Sequence, residues 1–238
     1  NLMNMKKVSL FLLGISLALM GNAEIRVLSN VKLGEGFFPR FADAETVTYL
    51  KAENASYLTT TVDDNAVLRV DNENLDLNLY RNGEKVVLKP HGDANYIWAS
   101  LSPDQTMILF NTKFGTAVCD LNGKEIINVG NVNAPVWYGN DYIVGMNDQH
   151  DGYYFTSSNI VIASVDGMER QELTDAKEMG YYPDVDAKSG RIVYHTEKGQ
   201  IRLMQLSLTE EPIRKQMPRL VQQLDGTLLN NMKRQAKR

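Results

Sequence analysis

The amino-acid sequence predicts an all-β fold assembled from consecutive β-hairpin repeats. Short runs of β-branched and aromatic residues recur along the chain, and Asn-Gly or Asp-Gly pairs follow three of them at matching places. Such pairs supply the positive backbone φ angles that a tight hairpin turn needs. The chain has 238 residues, of which 43% are hydrophobic, and a formal net charge of -4. This composition is typical of a globular protein and excludes a mostly disordered, collagenous or multi-span membrane protein.

Residues 1–23 have the pattern of a cleaved signal peptide. Lys6 and Lys7 precede an apolar run over residues 8–20, and the small residues Gly21 and Ala23 stand at positions -3 and -1 of a cleavage site. The run is shorter than the span of about 20 residues that a membrane helix needs. We therefore expect a periplasmic or secreted protein without a transmembrane segment after cleavage.

Residues 24–211 contain four units with a common pattern. Each unit begins with an apolar or aromatic run, and the aligned positions lie at intervals of 60, 36 and 48 residues, at Pro39, Ala99, Pro135 and Pro183. A proline at the start of a strand costs no hydrogen bond of the sheet. Units of about 36 to 50 residues fit one four-stranded propeller blade. The 60-residue interval requires an insertion, at about residues 54–74, or an extra hairpin whose second strand covers residues 66–70.

The second unit resembles a known repeat. Ser102-Pro103-Asp104, an apolar strand and then residues 119–123 (Cys-Asp-Leu-Asn-Gly) are similar to the WD-repeat-like propeller repeat of the TolB family. That repeat usually reads Ser-Pro-Asp-Gly, and Gln105 stands here where it has glycine. The resemblance covers residues 34–208, with fragments in the other units. It implies a β-propeller-like array in a bacterial cell envelope, and it implies no catalytic residue, because the repeats are architecture.

The number of units leaves the closure of the array open. Propellers close with four to eight blades, and relatives of the TolB type commonly have six or seven. The sequence predicts about four. A compact four-bladed ring, an open arc and a ring completed by a second chain all fit this number, so an oligomer is one of the outcomes we expect.

Residues 212–238 form a basic tail that differs from the repeats. They carry a net charge of +6 against -12 for residues 24–211, and their apolar residues have the spacing of a short amphipathic helix. The tail is either solvated, packed on the propeller or a docking segment for a partner. The acidic body argues against nucleic acid as a partner.

No catalytic, cofactor or metal motif is found in the sequence. There is no nucleophile elbow and no phosphate-binding glycine loop. The only cysteine, Cys119, is expected to be a buried thiol in a strand, and with three scattered histidines it excludes a clustered zinc site. We therefore predict a protein that is not an enzyme and has no cofactor and no metal. The alternatives are a glycan- or peptide-acting enzyme that uses carboxylates on the propeller face, and a structural subunit.

Aromatic residues at the unit starts and in a long loop of the third unit are the candidate binding residues. Equivalent positions of a propeller converge on one face, where aromatic rings stack against sugars or peptide side chains. The alternative for these rings is packing between blades. The leading hypothesis is a binding or scaffold module for an envelope protein or a cell-wall component, with these candidates: Trp137, Tyr138, His150, Tyr153, Tyr154, Tyr181 and Tyr182.

Overall fold

The structure, a computed structural model, describes residues 24–51 and 66–208. The chain divides into a body, Arg26–Ser207, and a second unit formed by Asn1–Ile25 with Leu208–Arg238. Residues 24, 25 and 208 are the described part of that second unit. The predicted signal peptide (1–23) and basic tail (212–238) lie outside the described residues. Within the described ranges, no helix is long and apolar enough to cross a membrane.

The described residues form an all-β structure, as the sequence predicts, with strand content of 61%. Two short 3-10 turns at Glu73–Leu75 and Ala176–Glu178 interrupt the strands. The strands are β1 (Ile25–Glu35), β2 (Phe37–Phe41), β3 (Val47–Leu50), β4 (Leu68–Asp71), β5 (Leu77–Arg81), β6 (Glu84–Leu88), β7 (Ile97–Leu101), β8 (Met107–Thr112), β9 (Gly115–Asp120), β10 (Ile127–Gly130), β11 (Asn133–Tyr138), β12 (Tyr142–His150), β13 (Phe155–Ser164), β14 (Arg170–Glu172), β15 (Gly180–Asp186), β16 (Arg191–Thr196) and β17 (Gln200–Leu208).

The strands pair into five antiparallel sheets, which we number in chain order. Sheet 1 contains β2 and β3, sheet 2 contains β4 to β6, sheet 3 contains β7 to β10, and sheet 4 contains β11 to β14. Sheet 5 has the order β1-β17-β16-β15, so the first strand of the body pairs with the last. Neighbouring strands are otherwise consecutive in the chain, as expected for hairpins joined by short turns.

The first of the four predicted units corresponds to two sheets. Residues 37–50 form sheet 1, and residues 68–88 form sheet 2. The interval of 60 residues between the first two units therefore reflects an additional sheet, as in the extra-hairpin alternative. The described residues contain five sheets where the sequence predicts four units.

The glycines of the Asn-Gly and Asp-Gly pairs adopt positive φ angles, as predicted. At Asn82-Gly83 both residues have positive φ, 52° and 83°. Gly123 and Gly167 have φ of 70° and 71°. At the Gly123 turn the side chain of Asp120 closes the loop, because its Oδ1 accepts the backbone N–H of Asn122 and Lys124 at 2.9 and 2.7 Å.

A β-bulge interrupts β2, β7, β11 and β15, of sheets 1, 3, 4 and 5, at the same place. The pairing register shifts just after the strand begins, for example between Tyr181 and Asp184 in β15. One residue in each bulge has a positive φ, and none of the four is glycine: Phe38 (52°), Trp98 (53°), Ala134 (44°) and Tyr182 (48°). These residues precede the aligned Pro or Ala of each predicted unit, so the repeat exists in the backbone as well as in the sequence.

Apolar residues of adjacent sheets form the core. One cluster joins sheets 2 and 3 and includes Leu77, Leu79, Tyr96 and Phe110. A second joins sheets 3 and 4 and includes Leu109, Val118, Ile143 and Val161. Cys119 belongs to the first cluster and is 1% exposed, which confirms the prediction of a buried thiol in a strand. Burial raises the pKa of this thiol to about 12.

Candidate functional site

Aromatic rings from β2 and β15 surround His195, near the end of β16. The centroids of Phe37, Phe38, Tyr181 and Tyr182 lie 5.3, 5.2, 5.7 and 5.8 Å from the imidazole centroid. Phe38 and Tyr182, the two bulge residues, also contact each other at 4.9 Å. The positive φ angles at the bulges therefore belong to the same arrangement that brings these rings together. We call these five residues the His195 cluster.

Burial defines the chemistry of His195. The side chain is 5% exposed, and Nδ1 lies 3.1 Å from the carbonyl oxygen of Thr196. Nε2 is buried without a hydrogen-bond partner among the described residues. Desolvation lowers the pKa of the imidazole, because its charged form loses more hydration than its neutral form. The cluster therefore holds a neutral histidine with an unsatisfied ring nitrogen.

The two tyrosines of the His195 cluster resist ionisation. Burial raises the pKa of Tyr181 to about 12, and the charges of Glu197 and Asp148 act in the same direction. Burial and then the charge of Asp148 raise the pKa of Tyr182. Both phenols are therefore protonated donors at neutral pH, and Asp148 lies close enough to affect both.

Asp148 is the buried acid beside this cluster. It lies in β12, is 9% exposed, and its Oδ1 accepts a hydrogen bond from Asn133 Nδ2 at 2.7 Å. Asn111 Nδ2 donates to Asn133 Oδ1 at 3.1 Å and to Thr116 Oγ1 at 2.7 Å. These side chains form a hydrogen-bonded chain from sheet 3 to sheet 4 that fixes the position of the carboxylate.

A second line of amides runs beside the first. Asn131 Nδ2 donates to Asn147 Oδ1 at 3.1 Å, and Asn147 Nδ2 donates to Asn159 Oδ1 at 3.3 Å. Asn159 is 1% exposed, and its Nδ2 has no partner among the described residues. The end of sheet 4 near Asp148 thus contains polar groups whose hydrogen-bonding capacity is not used within the described chain.

The hairpin between β12 and β13 presents aromatic side chains to solvent next to the cluster. Tyr153, Tyr154 and Phe155 are 92%, 77% and 43% exposed. The Asp151 carboxylate accepts the backbone N–H groups of Tyr153 and Tyr154, both at 2.8 Å, which shapes the turn. Phe155 contacts Tyr181 with ring centroids 5.3 Å apart. We call Tyr153, Tyr154 and Phe155 the hairpin tip.

The structure brings five of the seven predicted binding residues to one region. Tyr181 and Tyr182 belong to the His195 cluster. Tyr153 and Tyr154 form part of the hairpin tip, and the exposed His150 accepts the Gly152 N–H at 3.2 Å at the base of that turn.

Trp137 and Tyr138 lie elsewhere, at the far end of β11. Trp137 packs against the core cluster of sheets 3 and 4, and its Nε1 is buried without a described partner. Tyr138 is 6% exposed, and burial raises the pKa of its hydroxyl. For this pair, packing between sheets, the alternative considered for the aromatic residues, describes the position better than a shared binding face.

Sequence reasoning did not select Phe37, Phe38, His195 or Phe155 as site residues. One signal could have indicated His195. Tyr181 and His195 are cross-strand partners in β15 and β16, so pairing the two predicted strands in register places the histidine beside a predicted site residue. In the sequence, Asp148 belongs to the long loop of the third unit, but in the structure it lies within β12. Its burial depends on contacts with other sheets, which the local sequence does not encode.

A separate groove lies between sheets 2 and 3. Its lining residues are Leu79, Arg81, Asn82, Glu84, Val86, Leu88, Leu121 and Asn122. None of the predicted binding residues is among them. Within residues 24–51 and 66–208, no group of three or more His, Cys, Asp or Glu side chains is arranged to hold a metal ion.

No protein-family model and no curated protein matches this chain. Several solved structures are similar to it, and the two named here have propeller-type folds. The tricorn protease has 12% sequence identity and a TM-score of 0.42, over 74% of this chain and 20% of that chain. An ancestral GH74 enzyme has 13% identity and a TM-score of 0.38, over 52% of this chain and 19% of that one. The chain thus spans at most about a fifth of the length of either structure.

The comparison contradicts the prediction that the chain is not an enzyme, because one structural neighbour is a glycoside hydrolase of the GH74 type. The prediction was wrong to rely on missing motifs. Glycosidase chemistry depends on the separation of two carboxyl groups in the folded protein, and that separation has no fixed counterpart in sequence spacing. At these identities the likeness concerns the fold, and it assigns no reaction to this chain.

Proposed function

We propose that the protein is an exported binding or scaffold module of a bacterial cell envelope, whose partner is an envelope protein or a cell-wall component. The signal-peptide pattern of residues 1–23 and the TolB-like repeat support the location. The aromatic region formed by the hairpin tip and the His195 cluster supports binding. Proteins use such regions because tyrosine and phenylalanine combine a large apolar surface with few rotatable bonds.

The proposal includes a propeller-like arrangement of the five sheets. Sheets 2, 3 and 4 share core clusters with their neighbours in chain order. Sheet 4 is linked to sheet 5 where Ser158 Oγ donates to the Gly180 carbonyl oxygen at 2.6 Å. Sheet 5 contacts sheet 1, because Asp184 Oδ2 accepts the Phe41 N–H at 2.8 Å. Among the described residues these contacts join the sheets in the order 2-3-4-5-1. A ring closed within one chain, an open arc and a ring completed by a second chain all fit this order.

The observation that carries the binding proposal is the exposure of the hairpin tip. Two adjacent tyrosines, Tyr153 and Tyr154, are 92% and 77% exposed, although tyrosine is partly buried on average in folded proteins. The next residue, Phe155, is 43% exposed and contacts Tyr181, so three consecutive residues of the hairpin tip form one exposed aromatic surface. Such a surface is typical of an interaction site, whereas isolated exposed apolar residues require no explanation.

Substitution of both tyrosines tests this proposal. Purified protein is incubated with isolated cell-wall sacculi and, separately, with solubilised envelope proteins, and the retained partner is identified and its affinity measured. We expect Tyr153→Ala with Tyr154→Ala to weaken binding at least about tenfold, because aromatic anchors dominate such interfaces.

Met168→Ala is the matched control. Met168 is 58% exposed in the turn between β13 and β14, at the opposite end of β13 from the hairpin tip. This variant should bind as the unmodified protein does. If the double tyrosine variant keeps full affinity, or if the unmodified protein retains neither class of partner, the proposal is rejected.

A further inference from the structure

Asp148 carries a buried carboxylate that lacks a positive partner. Among the described residues it takes part in no ion pair within 4.0 Å, and the hydrogen bond that the structure gives its side chain comes from the neutral amide of Asn133. Other partly buried acids of this protein are paired, for example Asp71 with Arg69 at 2.9 Å and Asp186 with Arg191 at 3.0 Å. Asp148 therefore differs from them in its electrostatic surroundings.

An unpaired buried carboxylate destabilises the folded protein. Removal of a charge from water costs several kcal/mol unless an opposite charge or several hydrogen bonds compensate. The described groups that interact with it, the phenols of Tyr181 and Tyr182 and the amide of Asn133, are neutral. A cationic group at this position would gain Coulomb energy that is larger here than in water, because the local dielectric constant is lower.

We propose that Asp148 is the anchor for a cationic side chain, a lysine or arginine, of a bound peptide or protein. This inference rests on the proposed binding function and narrows its partner to a protein segment with a basic residue. The carboxylate supplies the charge, and the chain through Asn133 and Asn111 holds it in place. Asp148 lies in β12, which packs against β15, the strand that carries Tyr181 and Tyr182. The hairpin tip at the end of β12 contacts the remainder of the segment.

The residues around Asp148 fit an organic cation better than a metal ion. A divalent metal needs several oxygen or nitrogen ligands, and among the described residues no group of three acids, histidines or cysteines is arranged to hold one. Aromatic side chains, in contrast, are favourable neighbours for ammonium and guanidinium groups. One carboxylate with two nearby tyrosines is sufficient for a single basic side chain.

Small model ligands test the charge requirement directly. We would titrate the full chain with three ligands and follow its backbone amide NMR signals. Two ligands are cationic, Nα-acetyl-lysine methylamide and Nα-acetyl-arginine methylamide, and the third, Nα-acetyl-norleucine methylamide, is neutral. We expect the cationic ligands to shift signals of Asp148, Tyr181 and Tyr182 saturably. Their affinity should exceed that of the neutral ligand by at least about tenfold, which corresponds to about 1.4 kcal/mol.

Asp148→Asn removes the charge and retains the shape and the acceptor oxygen for Asn133. Its affinity for the cationic ligands should fall at least about tenfold. Glu172→Gln is the matched control, since it removes the same charge from an exposed position of the same sheet. Its affinity should be unchanged. If the Asn variant fails to fold, the salt dependence of the unmodified protein decides, because added sodium chloride should weaken only the cationic ligands.

The inference is overturned if cationic and neutral ligands bind alike, or if folded Asp148→Asn binds the cationic ligands as well as the unmodified protein does. That result leaves the binding proposal standing if the tyrosine variant still loses its partner. Conversely, the cationic ligands could bind selectively at Asp148 while no partner depends on the hairpin tip. That result supports the cation site and rejects the proposed binding function.

Discussion

His195 shows how one residue can combine structural and electrostatic roles. Four rings pack around an imidazole whose Nε2 has no partner in the described chain, so the protein accommodates a polar group in an aromatic cluster. A protonated imidazole at this position would be poorly solvated and would have no acidic hydrogen-bond partner. The neutral form is therefore favoured on folding, and this preference links the stability of the protein to pH.

The stability of the protein should decrease in mild acid because of this histidine. Below its ordinary pKa of 6.5, the unfolded chain takes up a proton at His195 that the folded protein resists. The free energy of unfolding therefore falls from about pH 6.5 downward to the lowered folded-state pKa, by about 1.4 kcal/mol for each pH unit in that range. Denaturant unfolding between pH 7.5 and about 5 measures this slope.

His195→Gln should make the slope shallower, even if its stability at neutral pH is lower. Some slope should remain, since burial also lowers the pKa of His91. His150→Gln, at an exposed position of the β12–β13 hairpin, should have the slope of the unmodified protein. Equal slopes in all three proteins would contradict the role given to His195.

At the scale of single turns, Gln105 illustrates a local conflict between sequence and backbone. The turn after β7 is organised by Ser102, whose buried Oγ accepts the N–H groups of Thr106 and Met107 at 3.1 and 3.0 Å. Gln105 has a φ of 58° in this turn. Left-handed backbone is unfavourable for residues with a Cβ. The glycine that the TolB-type repeat usually has at this position would meet no such cost.

Gln105→Gly should therefore maintain or increase stability. Relief of left-handed strain contributes about 1 kcal/mol, and the greater entropy of glycine in the unfolded chain offsets part of it. Gln149→Gly, in the exposed part of β12, should instead lower the free energy of unfolding by about 0.5 to 1 kcal/mol. The two variants are compared by urea unfolding. A comparable loss in both would show that the φ angle at position 105 carries no strain.

The bulges mark the limit of what the sequence predicts about the elements. Hairpin turns were predictable because Gly83, Gly123 and Gly167 are residues that tolerate positive φ. Phe38 and Tyr182 give no such signal, since bulky residues before proline normally avoid this conformation. Packing against His195 from another strand stabilises it, and such packing is not a local property. For the same reason, the sequence indicated Tyr181 and Tyr182 as candidate binding residues but did not indicate His195, which lies between the rings and belongs to another strand.

At the scale of the whole molecule, the ends of the described body are joined by pairing of β1 with β17. Local hairpin patterns predicted most sheets, because their strands are neighbours in the sequence. They could not predict that β1 completes sheet 5, since the partners are separated by most of the chain. They also merged sheets 1 and 2 into one unit, because the sequence between them has no clear turn signal.

Asn30 in β1 is the residue through which this long-range pairing can be tested. Its Nδ2 donates to the hydroxyl of the fully buried Tyr194 at 2.7 Å, and its Oδ1 accepts from Arg202 Nε at 3.2 Å. Asn30→Ala leaves these side chains with one partner fewer, so the free energy of unfolding should fall by about 1 to 3 kcal/mol. Amide hydrogen exchange should accelerate first in β1 and β17, because the hydrogen bond between Asn30 and Tyr194, which lie 164 residues apart in the sequence, helps to hold β1 in sheet 5.

Ser29→Ala, at the adjacent exposed position, is the control and should change neither the free energy of unfolding nor the exchange rates. If Asn30→Ala also leaves exchange in both strands unchanged, β1 does not hold the sheet closed through this contact.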